Sequence, residues 1–258
     1  MSVVSAVVAL AAAIIGAVIV RWAIEPSQPV VVGHARQHRV YEAETAWLLV
    51  LLAISAMVGL RRPQIRPAAT VLCGGFSLAL AGTGAVAVRR WNTSKGFGSV
   101  AGNLSELRLL AALLAVAGAV AAAVCLIAVL RQPRPRWDAE AVVQVATGLL
   151  VVVSVPLAMG WEYQANRTTQ FGAHALMYGI PWGVTIAVGA GATPTVRRVA
   201  LAVPLLAGPL LLFDPPMIPG RDVRVGYLAA AALVVGCRVA QALVRDQRAG
   251  IEQHARLS

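Results

Sequence analysis

The chain is divided by eight apolar runs of membrane-spanning length, and Arg238 is the only Asp, Glu, Lys or Arg inside any of them. The first is Val3 to Val20, eighteen residues closed by Arg21 and Trp22. The others are Thr45 to Leu60, Ala68 to Val88, Leu109 to Leu130, Ala141 to Gly160, Ala173 to Ala192, Val199 to Phe213 and Val225 to Val244. A bilayer's hydrocarbon core takes about 20 helical residues to cross. Backbone groups there must pair within their own segment, and the alternating short segments of a barrel are missing, so these runs read as helices. Eight of them use about 160 of the 258 residues. With 59% of the chain hydrophobic and 13% charged, neither a soluble domain nor a disordered one fits. The expected fold is all-α: a polytopic helical membrane bundle of about eight transmembrane helices, one domain over residues 1–258.

An even number of crossings puts both termini on one side. With the termini inside, the segments Arg61 to Pro67, Arg131 to Asp138, Thr193 to Arg198 and Arg245 to Ser258 carry 11 arginines in 35 positions. The opposite segments, Arg21 to Glu44, Arg89 to Arg108, Trp161 to Gly172 and Asp214 to Arg224, carry 10 basic residues in 67 positions. Positive charge is denser on the first set, so both termini are expected to be cytoplasmic. The first run is expected to be retained, because only Met1 and Ser2 precede it where a secretory signal would carry basic residues.

The formal charge of +11 comes from 22 basic and 11 acidic residues, and Lys95 is the only lysine. Nucleic acid is not implied: the arginines are scattered through short loops, where they set orientation and meet anionic headgroups, and form no single basic face. An excess of alanine, valine, glycine and arginine points to a GC-rich bacterial genome, hence to the cytoplasmic (inner) membrane of a bacterium. Cys73, Cys125 and Cys237 fall in three separate runs without ligand spacing, and read as small buried hydrophobes.

Seven of the acids, Glu25, Glu42, Glu44, Glu106, Glu162, Asp214 and Asp222, lie in the external segments. Two readings stand. They are solvated ion pairs with nearby arginines, each worth little. Otherwise Glu42 or Glu44, Glu162 and Asp214 converge on a cavity open to the outer leaflet, where a desolvated carboxyl acts as general acid or proton carrier. Glu162, Glu42 and Asp214 are the candidate catalytic residues on that second reading.

Other features bear on shape. Pro156, Pro181, Pro204 and Pro209 fall in the fifth to seventh runs and should bend them, widening a vestibule or simply accommodating packing. Small residues recur every fourth position at Gly75, Ala79 and Thr83, and at Ala115, Ala119 and Ala123, which lets backbones approach. His34 and His38 share a helical face if that segment is helical, and with His174 would make a three-histidine site; as ordinary loop histidines they bind nothing. Arg238 either snorkels toward headgroups or sits in a buried ion pair. The order Trp22, Glu25, Gln28, Gly33, His34 is echoed by Trp161, Glu162, Gln164, Gly172, His174, as a weak four-plus-four repeat of 1–130 and 139–244 would give.

Walker, nucleophile-elbow, zincin and Asp-rich motifs are missing, and no helical lysine offers a Schiff base. No cofactor and no metal are expected. The expected function is therefore transport or service as an integral subunit of a membrane complex. The alternative is a membrane-embedded enzyme acting on an isoprenoid or other lipid through the external carboxylates. Beyond the lipid bilayer, the partners these readings admit are other membrane subunits or a lipophilic small molecule.

Overall fold

A computed structural model describes residues 3–24, 32–93, 104–132, 137–159, 172–213 and 223–257. Among them all regular structure is helical: α1 (Val3–Ile24), α2 (Val32–Arg61), α3 (Arg66–Thr93), α4 (Leu104–Leu130), α5 (Ala139–Ala158), α6 (Ile180–Ala190), α7 (Pro194–Ala207) and α8 (Val223–Leu257). A 3-10 turn, Pro63–Ile65, joins α2 to α3, and another, Pro209–Phe213, follows α7. A π turn, Ala175–Gly179, leads into α6 and makes 172–190 continuously helical.

Five segments are long and apolar enough to cross a membrane: Pro63–Val88, Leu109–Leu130, Ala139–Ala158, Pro194–Leu212 and Val223–Gln247. Val3–Ile19 and Thr45–Arg61 are shorter apolar helices. The chain is thus a helical protein with the make-up of a membrane bundle.

Each apolar run falls on a helix, except that the seventh, Val199 to Phe213, is divided between α7 and the 3-10 turn Pro209–Phe213; several helices outrun their runs. α2 starts at Val32 rather than near Thr45, α3 continues to Thr93, and α8 reaches Leu257. Much of the segments expected as loops is therefore helical. The reason is that hydropathy reports burial, while Ala, Arg, Gln and Glu, frequent in 34–44 and 245–257, are strong helix formers whether buried or not.

Successive helices alternate in direction, as their contacts show. At one end the Cys125 thiol of α4 lies 3.6 Å from the Ser5 carbonyl of α1, and Gly59 of α2 packs beside Ala6 and Ala69. Val71, Val129, Ala192, Val196 and Ala200 close a small apolar cluster there. At the other end the Trp47 indole of α2 donates to the Leu206 carbonyl of α7 at 2.8 Å. Tyr227 of α8 packs on Gly208, and Met159 at the close of α5 packs on Gly226. The first turns of α1 and the later turns of α8 consequently share an end, called here the terminal end; the other is the distal end.

α3 is the central helix. It packs against α2 and α4 on one side and against α6 and α7 on the other. Within its apolar segment 61% is buried, against 22% for α8, which rests mainly on α5. Phe76 and Leu80 of α3, Leu52 of α2 and Trp182 and Ile186 of α6 are among the largest fully buried side chains.

The α3–α4 crossing is set by glycine. A Cβ on Gly118 would stand 2.7 Å from the Ala81 nitrogen and 2.8 Å from the Ser77 carbonyl oxygen, and one on Gly84 would meet the Ala115 nitrogen at 2.6 Å. This seam is not the every-fourth-residue stripe expected from sequence. Gly75 faces Thr185 and Val203 instead, and Ala119 and Ala123 are exposed. A strict four-residue repeat drifts around a helix with 3.6 residues per turn, so a stripe of that period leaves the contact face within two steps.

Two substitutions separate close packing from simple loss of glycine. Gly118→Leu should destabilise the bundle by about 1–3 kcal/mol or more, since the added atoms meet backbone that cannot yield. Gly236→Ala, at a position with nothing within 4 Å, should leave stability unchanged or slightly raised. Unfolding of the purified protein in mixed detergent and dodecyl sulfate micelles measures both.

Candidate functional site

The external carboxylates singled out by sequence lie largely beyond view. Glu162 and Asp214 are outside the described residues; Glu42 and Glu44 fall on the backbone of α2 with their side chains outside the described set, as do those of His34 and His38. Trp47, Leu206, Tyr227, Gly226 and Met159 form one chain of contacts across the distal end.

Nearby, on the helix that begins with the π turn, the rings of His174, Tyr178 and Trp182 follow one another at four-residue spacing. Their centroids are 6.3 Å and 5.5 Å apart. The Trp182 indole nitrogen is buried without a hydrogen-bond partner, as is the Ser77 hydroxyl. Among the described residues no group of three or more His, Cys, Asp or Glu could hold a metal ion. The three cysteines are buried with free thiols.

The richest polar constellation is at the terminal end, on four helices. Asp138 caps α5: its Oδ1 accepts from the Ala141 N–H at 2.7 Å, where the positive end of the helix favours a carboxylate. Arg197 in the first turn of α7 donates through Nη1 to both Asp138 oxygens, at 3.1 Å and 3.0 Å. Its Nε donates to the Ala190 carbonyl at 2.7 Å, closing the C-terminus of α6. One guanidinium thus joins the ends of three helices, and its side chain is only 7% exposed.

One turn deeper, Gln144 of α5 is fully buried. Its Nε2 donates to the Ile186 carbonyl at 3.0 Å and the Arg197 carbonyl at 3.3 Å, while its Oε1 accepts from Gln241 Nε2 at 3.3 Å. Gln241 of α8, 1% exposed, also donates to the Glu140 carbonyl at 3.2 Å and accepts from Arg238 Nη1 at 3.1 Å. Arg245 pairs with the Glu140 carboxylate at 3.2 Å and donates to the Gln241 carbonyl at 3.3 Å. Both amide N–H groups of both glutamines are in use. A buried network satisfied to this degree rigidifies its helices and fixes their register.

The sequence singles out Arg238 but does not join it to Asp138, Glu140, Gln144, Arg197 and Gln241. The signal was present in part: a glutamine within an apolar run needs a partner in hydrocarbon, and Asp-Ala-Glu ahead of such a run is a helix start. Which helices supply the partners depends on packing. Compared with known protein families, with curated proteins and with solved structures, the chain matches none.

Arg197→Met should cost about 1–3 kcal/mol, because it removes the ion pair with Asp138 and takes the donor from the buried Ala190 carbonyl. Asp138→Asn, which keeps a cap for α5, should cost less. For the glutamines the double variant Gln144→Leu with Gln241→Leu should cost less than the sum of the singles, with a coupling of about 0.5–3 kcal/mol. A double-mutant cycle on unfolding free energies reads this directly.

Proposed function

We propose that this chain is an eight-span protein of the bacterial inner membrane, with both termini cytoplasmic, that serves as an integral, non-catalytic subunit of a membrane complex. The alternation of eight helices and the gathering of the arginine-dense segments at the terminal end support the topology. α5 has 20 residues, about 30 Å of helix, which matches the hydrocarbon thickness. Trp137, 58% exposed just before α5, has the character of an interfacial anchor.

The observation that carries the subunit reading over transport is where the polar groups within the spans direct their hydrogen bonds. The hydroxyls of Thr83, Thr147, Ser154 and Thr185 each donate to the carbonyl four residues back on their own helix, at 3.0, 2.9, 2.7 and 2.6 Å. Gln144 and Gln241 are held by the terminal network. Meanwhile α4, α5 and α8 turn broad apolar faces outward, with Val116, Leu149 and Val235 each about three-fifths exposed. Such faces suit lipid or neighbouring membrane helices.

The convergence of Trp47, Met159 and Leu206 near the ends that lead to Glu42, Glu162 and Asp214 favours one second reading, a lipid-directed enzyme working from the outer leaflet. Replacing Glu162 by Gln separates the two, since only the enzyme would lose a native phenotype while the protein still accumulates.

Reporter fusions should score Gln64, Arg134, Thr195 and Ser258 as cytoplasmic and Gln28, Gly96, Asn166 and Pro219 as external; any reversal ends the topology. Extracted in mild detergent, the protein should migrate well above the mass of its 26.8 kDa chain and its micelle. A lone chain that moves a solute in vesicles would instead establish transport.

A further inference from the structure

Arg238 lies within the apolar segment of α8, seven residues or about 10 Å of helix inward from Arg245. On the reading that α8 spans a membrane, this guanidinium is set inside the headgroup level marked by Trp137 and by the Arg245–Glu140 pair. It is half-buried at the α5–α8 seam, next to an outward face where Val235, Val239 and Leu243 are 61%, 55% and 59% exposed.

The charges around it do not balance. Two carboxylates belong to this cluster, and each is engaged by another arginine: Asp138 by Arg197 at 3.0 Å and Glu140 by Arg245 at 3.2 Å. Arg238 receives only the neutral Gln241 oxygen, at 3.1 Å. That oxygen is immobilised, because the same amide donates to Glu140 and Gln144. Among the described residues Arg238 therefore has no carboxylate partner and keeps most of its five N–H donors, pinned at one nitrogen at a half-buried position of α8. An uncompensated arginine at this depth is costly unless an anion meets it. The anion within reach there is a phosphodiester, whose two free oxygens match the guanidinium fork. A net charge on the lipid is needed as well, since a zwitterionic headgroup brings its own cation.

We propose that Arg238, oriented by Gln241, binds the phosphate of an anionic phospholipid from the leaflet at the terminal end, seating that lipid's chains along the outward face of α8. The site would order an annular lipid at the seam.

The test uses the full chain in mild detergent, titrated with dioleoyl phosphatidylglycerol or phosphatidylcholine and read by native mass spectrometry. The wild type should retain phosphatidylglycerol in preference. Arg238→Gln should weaken that retention roughly tenfold or more, the equivalent of one charge-assisted contact. Arg238→Lys should fall between the two, and Arg198→Gln, at an exposed position, should match the wild type. Equal retention by Arg238→Gln and wild type overturns the proposal; so does displacement of the lipid by excess inorganic phosphate, which would make this a free-phosphate site. Should Arg238→Gln fail to fold, a photoreactive phosphatidylglycerol analogue on the wild type decides: adducts within 235–245 support the site, and adducts only elsewhere refute it. Carbonate extraction of wild-type membranes tests the spanning of α8 separately.

Discussion

Gln144 holds the second half of the molecule together. It is fully buried on α5, and its single amide reaches the Ile186 carbonyl on α6, the Arg197 carbonyl on α7 and the Gln241 side chain on α8. In a setting without water, a primary amide has no alternative to such partners, so all four helices must hold one register for it to be satisfied. Arg197 repeats the logic one turn outward by joining the ends of α5, α6 and α7. The terminal end of the bundle is therefore tied by directed bonds, whereas the rest rests on the shape of apolar side chains.

That rest is organised by α3. The first four helices pack around one another through small residues, with Gly84 and Gly118 letting α3 and α4 touch backbone to backbone. The last four are assembled by the polar network, and α3 joins the two sets by lying against α6 and α7. Two ways of holding helices together thus coexist: close backbone approach at glycine, and amide and guanidinium bridges between helices.

Gln144, Gln241, Thr83, Thr147, Ser154 and Thr185 direct their polar groups to one another or to backbone carbonyls. The outward surface on α4, α5 and α8 is apolar, which suits a component embedded among lipids and other helices. Arg238 stands apart because, among the described residues, its partner is a neutral amide oxygen and not a carboxylate.

Long apolar runs were enough to read the helical class of the fold and roughly where its apolar helices fall, because in lipid the backbone can satisfy itself only by coiling. Helix ends were less legible: 32–44 and 245–257 are polar and helical together, and polarity hides a helix from a hydropathy reading. The candidate site was legible only as isolated residues, a glutamine here and an arginine there. That Gln144 meets Gln241, 97 positions away, and Asp138 meets Arg197, 59 away, followed from how α5 packs against α6 and α8 and how α6 packs against α7. Sequence by itself determined which segments leave water, since transfer into an apolar medium depends on composition alone. Tertiary structure decided which polar groups find one another, since hydrogen bonds and ion pairs require distance and direction that no composition contains.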